Sequence, residues 1–237
     1  MIRPPLPRTF FDRDPVQVAG ELLGCLLIRS TDGGTSRRGG RSRERHIECG
    51  RIVETEAYLS ADDSACHASR GKTRKNASMF APAGTAYVYA IHSRWCFNVV
   101  TEKEGTPSAV LIRALEPLEG IAVMEQRRDT NRQIDLARGP GRLCQALAID
   151  RELDGWDLTL GDRLWIASDD TVATNCSLAT NRPVATSRSR VLVSPRIGVT
   201  SAHDKLLRFY WADCPYVSGT RKANGAGFPL RSFHDNS

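Results

Sequence analysis

The sequence lacks the patterns that mark several large classes of protein. No apolar run approaches 18 residues, which argues against a membrane-spanning helix. The seven cysteines are odd in number and never closer than 17 positions apart, which excludes a complete disulfide framework and paired CxxC metal spacing. The five histidines form no HExxH or HxxxH motif. We therefore expect a soluble, cytoplasmic protein with reduced thiols and neither a metal nor a cofactor.

Lysine is also scarce, although the chain is basic. Of the 33 lysine and arginine residues only five are lysine, and the formal net charge is +6. A guanidinium binds phosphate through a bidentate fork, so this composition is typical of a protein with a polyanionic partner, nucleic acid first. A GC-rich genome would enrich arginine in the same way, and the composition alone does not separate the two explanations.

The order of apolar and polar segments predicts one α+β domain over residues 1–237. Strand patterns occur at 84–92, 94–101 and 108–120, a short helix with an Asp14-Pro15 start precedes the first strand candidate, and helix patterns follow in "LEGIAVMEQRR" and "GPGRLCQALAI". Since nothing divides the chain into repeats or linked halves, we expect a mostly antiparallel, curved β-sheet flanked by helices, with a protruding β-hairpin.

Three segments fall outside this expected core. Residues 1–8 predict a flexible arm, and the Gly/Ser/Asn-rich residues after about 218 predict a frayed tail. Residues 31–46 form a Gly/Ser/Arg loop between two strand candidates. In contrast to these three segments, "SPRIGVT" (194–200) predicts a late strand of the core. The arginines of the loop could follow a phosphate backbone, or the loop could be a solubilising tip.

Titratable side chains are concentrated at the end of one predicted strand, "VETEAYLSADDSACHA" (53–68). Glu54, Glu56 and Tyr58 alternate with smaller residues, and His67 follows nine positions later. Taken alone, these residues favour the solvated outer face of a half-buried strand.

Arg113 argues for a different arrangement, because it lies in the apolar stretch "AVLIRALEP". A buried arginine requires a carboxylate or a ligand, and Glu54 and Glu56 are the candidates. A structural salt bridge would satisfy it. If Arg113 and Glu56 instead meet at a cavity, they could hold one water, the carboxylate accepting its proton. Tyrosines 58, 87 and 89 would then form a slot suited to a flat base.

Several blocks together resemble one family. "RIVETEAYL", His67, "GTAYVYAIHSRWCFNVV", "VLIRALEPLEG" and "GPGRLCQALAI" are similar, in this order, to the alkyladenine (3-methyladenine) DNA glycosylases, over roughly residues 8–218. The resemblance implies a monomeric DNA repair enzyme. It would flip a damaged, alkylated or deaminated purine out of double-stranded DNA and hydrolyse its N-glycosidic bond, leaving an abasic site.

The resemblance also assigns roles to individual residues. It implies that Glu56 is the general base and that Arg113 holds the attacking water. It implies a pocket in which Tyr58 and Tyr89 sandwich the base, the main chain of His67 contacts its edge, Asn98 crowds the 2-amino group of guanine, and the carbonyl of Ile197 completes the water site.

The hairpin departs from the family pattern. The family has a tyrosine after "YVYxI" that fills the space left by the flipped base, whereas this chain has His92 there and one residue fewer before "CFN". We expect His92 to be a smaller wedge, with Arg94 stacking or binding phosphate beside it.

Two other functions compete with a monofunctional glycosylase. The altered wedge would suit a protein that binds lesions without cutting, although binding alone does not need the Glu56–Arg113 pair. A hydrolase of free nucleosides would not need the basic segments at 37–45 and 70–74. No lysine falls in a predicted pocket strand, so a Schiff-base lyase step is not expected.

Overall fold

The computed structural model describes residues 3–32, 45–169, 191–220, 224–225 and 227–230. The tip of the arginine-rich loop and Cys176 lie outside these ranges. Within them the chain forms nine strands: β1 Leu26–Asp32, β2 Arg45–Tyr58, β3 Ala86–Ile91, β4 Arg94–Thr101, β5 Ser108–Glu119, β6 Leu164–Ala167, β7 Val191–Ser194, β8 Arg208–Trp211 and β9 Phe228–Pro229.

The helices of the same ranges are short. They are α1 Arg8–Phe11, α2 Pro15–Glu21, α3 Ile121–Arg128, α4 Gln133–Leu136 and α5 Pro140–Ala146, with single 3₁₀ turns at Ala77–Phe80, Arg151–Leu153 and Leu158–Leu160. Helix α2 begins as its sequence predicts, because the Asp14 side chain accepts hydrogen bonds from the amides of Val16 and Gln17 and Pro15 is the first helical residue. None of the helices in the described ranges has the length and apolar character of a membrane span.

The long strand β2 organises the sheet. The strand order is β3-β4-β5-β2-β8-β7-β9, every pairing is antiparallel, and β1 joins the first half of β2 to β6. The predicted α+β fold with a mostly antiparallel curved sheet is therefore confirmed. β2 has β5 along one edge and first β1, then β8 along the other, and consecutive residues of its second half are buried, which places both of its faces inside the protein.

Three register shifts interrupt the pairing of β2 with β5, and two of them are β-bulges that flank Glu54. Ile52 pairs with Leu115 and Glu54 with Ala114, which leaves Val53 as an extra residue in β2. Thr55 pairs next with Ile112, which leaves Arg113 as an extra residue in β5. Bulges change the direction of side chains along a strand. Here they bring Glu54 and Arg113 to the same side of the sheet, opposite the side on which Thr55 bonds the Ala19 carbonyl of α2.

Three sequence predictions are corrected by the described residues. The arm is not free over residues 3–8, since the Leu6 amide donates to the Ile166 carbonyl and the Trp165 indole to the Arg3 carbonyl. The tail after about 218 is not frayed throughout, because β9 pairs with β7. The strand predicted at 194–200 is not formed. Strand β7 ends at Ser194, because the next residue, Pro195, has no amide hydrogen to continue the ladder.

The predicted hairpin is formed by β3 and β4. Ile91 pairs with Arg94, so the connection is a two-residue turn of His92 and Ser93, with φ angles of 45° and 64°. Two-residue hairpin turns with both residues at positive φ usually contain Asn or Gly. This turn contains neither, and its two residues are exposed. The hairpin that the sequence showed to be one residue short is thus closed by a two-residue turn.

Gly120, which joins β5 to α3, lies in close contact with the backbone of β2. Its φ is +74°, and a Cβ atom there would lie 2.8 Å from the Ile47 carbonyl oxygen and 3.0 Å from the Glu48 Cα. Gly105 has a similar φ of +89° but open space around it. We expect Gly105→Ala to lower the free energy of unfolding by about 1 kcal/mol through backbone strain alone.

Gly120→Ala adds a clash with backbone to the same strain. We expect it to cost at least about 2 kcal/mol more than Gly105→Ala, as overpacking of a tight contact does. Urea unfolding of the two variants measures the difference directly. Equal losses would mean that the contact with Ile47 and Glu48 relaxes freely.

Candidate active site

Two carboxylates and two guanidiniums are buried together beside the second half of β2. Glu54, Glu56 and Arg208 are 0% exposed and Arg113 is 6% exposed. The Arg113 Nε donates to Glu54 Oε1 at 3.0 Å, and its Nη1 lies 3.2 Å from Glu56 Oε1. A solvated outer face for these carboxylates is therefore excluded. The salt bridge predicted for Arg113 is present, with both glutamates at once.

Glu54 is the structural centre of this cluster. Besides Arg113, its Oε1 accepts from Arg208 Nε at 2.7 Å, and its Oε2 accepts from the Ser218 amide at 2.7 Å. Burial acts to raise its pKa, but Arg113, Arg208 and the bonds from Ser218 outweigh burial and lower the pKa below the usual value. Glu54 is therefore held as a carboxylate. It also fixes the chain at Ser218, where the sequence predicted the start of a frayed tail.

Three different parts of the chain contact the Glu56 carboxylate, one through an ion pair and two through hydrogen bonds. Its Oε1 is contacted by Arg113 Nη1 and by the Ile197 amide at 2.8 Å, and its Oε2 accepts from the Tyr58 hydroxyl at 3.0 Å. Burial, and then the charge of Glu56, raise the pKa of Tyr58, so the phenol keeps its proton and donates it. Each carboxylate oxygen has two lone pairs, which leaves one acceptor position on Oε2.

A cavity of about 370 Å³ lies in front of Tyr58. This volume falls within the range of small-molecule sites. Its walls are the β3–β4 hairpin, the segment 64–70 and the segment 198–201. Four predicted pocket residues contribute side chains or backbone to its lining, namely Tyr58, His67, Tyr89 and Asn98.

The aromatic residues of the cavity contact one another. The His67 and Tyr89 ring centroids are 4.4 Å apart and those of Tyr87 and Tyr89 are 5.1 Å apart. The His67 Nδ1 lies 2.9 Å from the Tyr87 hydroxyl. Loss of solvent around the ring lowers the pKa of His67, which favours the neutral imidazole. Asn98 is fixed by a bond from its Nδ2 to the Tyr87 carbonyl at 3.0 Å, so its amide has one orientation at the cavity wall.

The remaining predicted site residues lie behind or beside the cavity. Glu56 and Arg113 lie behind Tyr58, in contact with its hydroxyl through Glu56. Ile197 does meet Glu56, but through its amide N–H, whereas the sequence reasoning invoked its carbonyl. Ile91 lines the cavity, so the turn formed by His92 and Ser93 begins at its rim.

Arg94 is exposed at the same end of the hairpin. A Cβ atom added to Gly141, at the start of α5, would lie 3.1 Å from both the Cβ and the Cδ of Arg94. The aliphatic part of Arg94 is therefore packed over Gly141. This contact supports the hairpin from the α5 side.

Sequence reasoning missed two arginines of the site, Arg196 and Arg208. Arg196 lies in "SPRIGV", directly before Ile197, and pairs with Asp63. Arg208 opens β8 and pairs with Glu54. The only signal in the sequence was that each arginine precedes a strongly apolar segment, as Arg113 does, and that Asp63 belongs to an acidic pair without an assigned partner.

The burial of Glu54 leads to a stability prediction. Glu54→Gln leaves Arg113 and Arg208 with one carboxylate between them, and removing one partner from a buried ion pair costs about 3–5 kcal/mol. We expect this loss in urea unfolding at pH 7. Since the folded-state pKa of Glu54 is lowered from 4.5, its contribution is complete above about pH 4.5 and is lost as the pH falls through the folded-state value.

The difference in the free energy of unfolding between wild type and Glu54→Gln should accordingly become smaller below about pH 4.5. The matched control is Glu48→Gln. Glu48 is equally buried, but its partner Arg127 is 25% exposed and can turn towards water. We expect Glu48→Gln to lose less free energy of unfolding than Glu54→Gln. Equal losses in the two variants would contradict the importance of the four-residue cluster.

Comparison with known proteins identifies the family of this chain. The family model described as Methylpurine-DNA glycosylase (MPG) matches residues 9–215. A protein of Carboxydothermus hydrogenoformans named "Putative 3-methyladenine DNA glycosylase" is 42% identical over 214 residues, covering 90% of this chain and 98% of its own. Proteins of the same name from Rhodopirellula baltica and Legionella pneumophila (strain Lens) are 44% and 43% identical, covering 90% and 91% of this chain and 83% and 98% of theirs. The chain belongs to the methylpurine-DNA glycosylase family, whose members are hydrolases that act on damaged DNA.

Proposed function

We propose that the protein takes a damaged purine, alkylated or deaminated, out of duplex DNA into the cavity and hydrolyses its N-glycosidic bond with a water activated by Glu56. The observation that supports this most directly is the donor set around Glu56. The Ile197 amide and the Arg113 ion pair hold Oε1, whereas Oε2 accepts one hydrogen bond, from Tyr58, and has a second lone pair at the back of the cavity.

The cavity is suited to a flat, apolar ring with few polar groups. Tyr58, Tyr87 and Tyr89 contribute aromatic rings to its lining, and Asn98 contributes one fixed amide. Base stacking on aromatic side chains contributes about 1–3 kcal/mol per base.

Exposed cations surround the mouth of the cavity. Arg70 belongs to its lining, and Lys72, Arg74, Lys75 and Arg94 are exposed on the neighbouring loop and hairpin. Cations so placed would contact the phosphates on either side of an extruded nucleotide. Among the described residues that line the cavity there is no lysine, which favours hydrolysis without a Schiff-base lyase step.

One observation favours a second function, a lesion-binding protein that does not cut. Glu56 is 0% exposed, so a water reaches it only if Tyr58 or the 198–201 wall is displaced when a base enters. The first experiment is therefore incubation with duplex oligonucleotides that contain one 3-methyladenine, hypoxanthine or ethenoadenine. Alkali-sensitive abasic sites would establish the enzyme, and tight binding without release would establish the binder.

Glu56→Gln tests the catalytic role. The amide cannot accept the proton of water, so we expect base release to be abolished while affinity for the lesion duplex stays within roughly tenfold. Single-turnover assays and fluorescence anisotropy measure the two quantities. Glu116→Gln is the control, because Glu116 is a partly exposed carboxylate of the neighbouring strand paired with Arg51. Retained release in Glu56→Gln would reject the role of Glu56.

His92→Ala tests the proposed wedge. A ring at the hairpin tip is needed only when a base must be replaced in a stack, so we expect the loss of activity on duplex DNA to exceed that on single-stranded DNA by roughly tenfold or more. His203→Ala, at another exposed histidine, serves as the control. Equal losses on both substrates would show that His92 does not act as a wedge.

A further inference from the structure

Two segments that are distant in the sequence form opposite parts of the cavity wall. Residues 64–70 follow Asp63, and residues 198–201 follow Arg196 and Ile197. The side chains of Asp63 and Arg196 are both 0% exposed. They form a bidentate ion pair, with Arg196 Nη1 at 2.7 Å from Asp63 Oδ2 and Nη2 at 2.6 Å from Oδ1. The pair therefore connects the two segments immediately before each enters the cavity.

Each member of the pair also fixes its own surroundings. Asp63 accepts from the amides of Leu59 and Ala65, at 3.0 and 3.2 Å, which shapes the loop after β2. Arg196 Nη1 donates to the Ala57 carbonyl at 3.0 Å, between Glu56 and Tyr58 in the chain. These five hydrogen bonds, two of them between Arg196 and Asp63, hold the end of β2 against both wall segments.

Arg196 is also in contact with the site itself. Its guanidinium carbon lies 4.6 Å from the centre of the Tyr58 ring. The next residue, Ile197, donates its amide to Glu56 Oε1 at 2.8 Å. Displacement of Arg196 would therefore move both a face of the cavity and a donor to the carboxylate.

We propose that Arg196, paired with Asp63, is a positioning residue for base release: it aims the Ile197 amide at Glu56 and holds the Tyr58 ring in place. This inference rests on the proposed function. The fork geometry is essential to it, since lysine carries the same charge but cannot bond Asp63 through two nitrogens and Ala57 at once.

The test uses the full chain and a duplex with one lesion that the wild type releases. We expect Arg196→Lys to lower the single-turnover rate at saturating enzyme by roughly tenfold to a hundredfold, as small misplacements in active sites do. The affinity for the lesion duplex should change by a smaller factor. Asp63→Asn, which keeps the shape of the side chain, should lower the rate in the same direction.

The control for a purely structural role is Arg51→Lys. Arg51 also bridges two carboxylates, Glu116 at 2.7 Å and Asp169 at 3.0 Å, outside the cavity lining. We expect this variant to lose thermal stability as Arg196→Lys does while its single-turnover rate stays within about twofold of wild type. All rates are compared below the melting temperature of every variant.

The combined variant Arg196→Lys/Asp63→Asn shows whether the two residues affect the single-turnover rate as one unit or independently. If the two residues act together, the combined variant is no slower than the slower single variant. The inference is overturned by a wild-type rate in Arg196→Lys, by an equal loss in Arg51→Lys, or by losses that multiply in the combined variant. Absence of release by the wild type would instead refute the proposed function.

Discussion

The structure depends on a charge-balanced cluster that the sheet itself buries. Glu54, Glu56, Arg113 and Arg208 lie at the meeting point of β2, β5 and β8, where an unpaired charge would be costly. Two bulges, at Val53 and Arg113, bring these side chains to one side of the sheet. The cluster therefore requires irregular strand pairing at its centre, and the long antiparallel register on either side maintains it.

The two glutamates of the cluster have different surroundings, and the difference suits different tasks. Glu54 is enclosed by two arginines and Ser218, so it organises the cluster and ties in the chain near residue 218. Glu56 shares Arg113 but otherwise accepts from Ile197 and Tyr58, both next to the cavity. Arg113 thus connects a structural carboxylate with the proposed catalytic one. Any change at Glu54 will reach Glu56 through a single guanidinium.

Much of this arrangement could be predicted from the sequence, and the misses have physical reasons. Runs of apolar and aromatic residues gave β3, β4 and β5, which are largely buried, and the Asp14-Pro15 start gave α2. The burial of Glu54 was missed, since period-2 alternation cannot reveal that Arg208 and the chain at Ser218 enclose its side chain. Arg196 and Asp63 were missed because their contact joins residues 133 positions apart and leaves no local pattern. The strand predicted at 194–200 failed at Pro195, a residue whose effect on pairing is readable from sequence alone.

The geometry around Glu56 also limits how it can act. Two hydrogen bonds and the Arg113 ion pair fix the carboxylate, and the second lone pair of Oε2 can accept from a water. A carboxylate in open solvent would contact many waters in many orientations, whereas this one can present a single water to a bound sugar. The enclosure that hides Glu56 is then part of its proposed function. Access depends on Tyr58 and the 198–201 wall, both of which are held by Arg196, so the pair with Asp63 determines how far the cavity can open without misplacing the carboxylate.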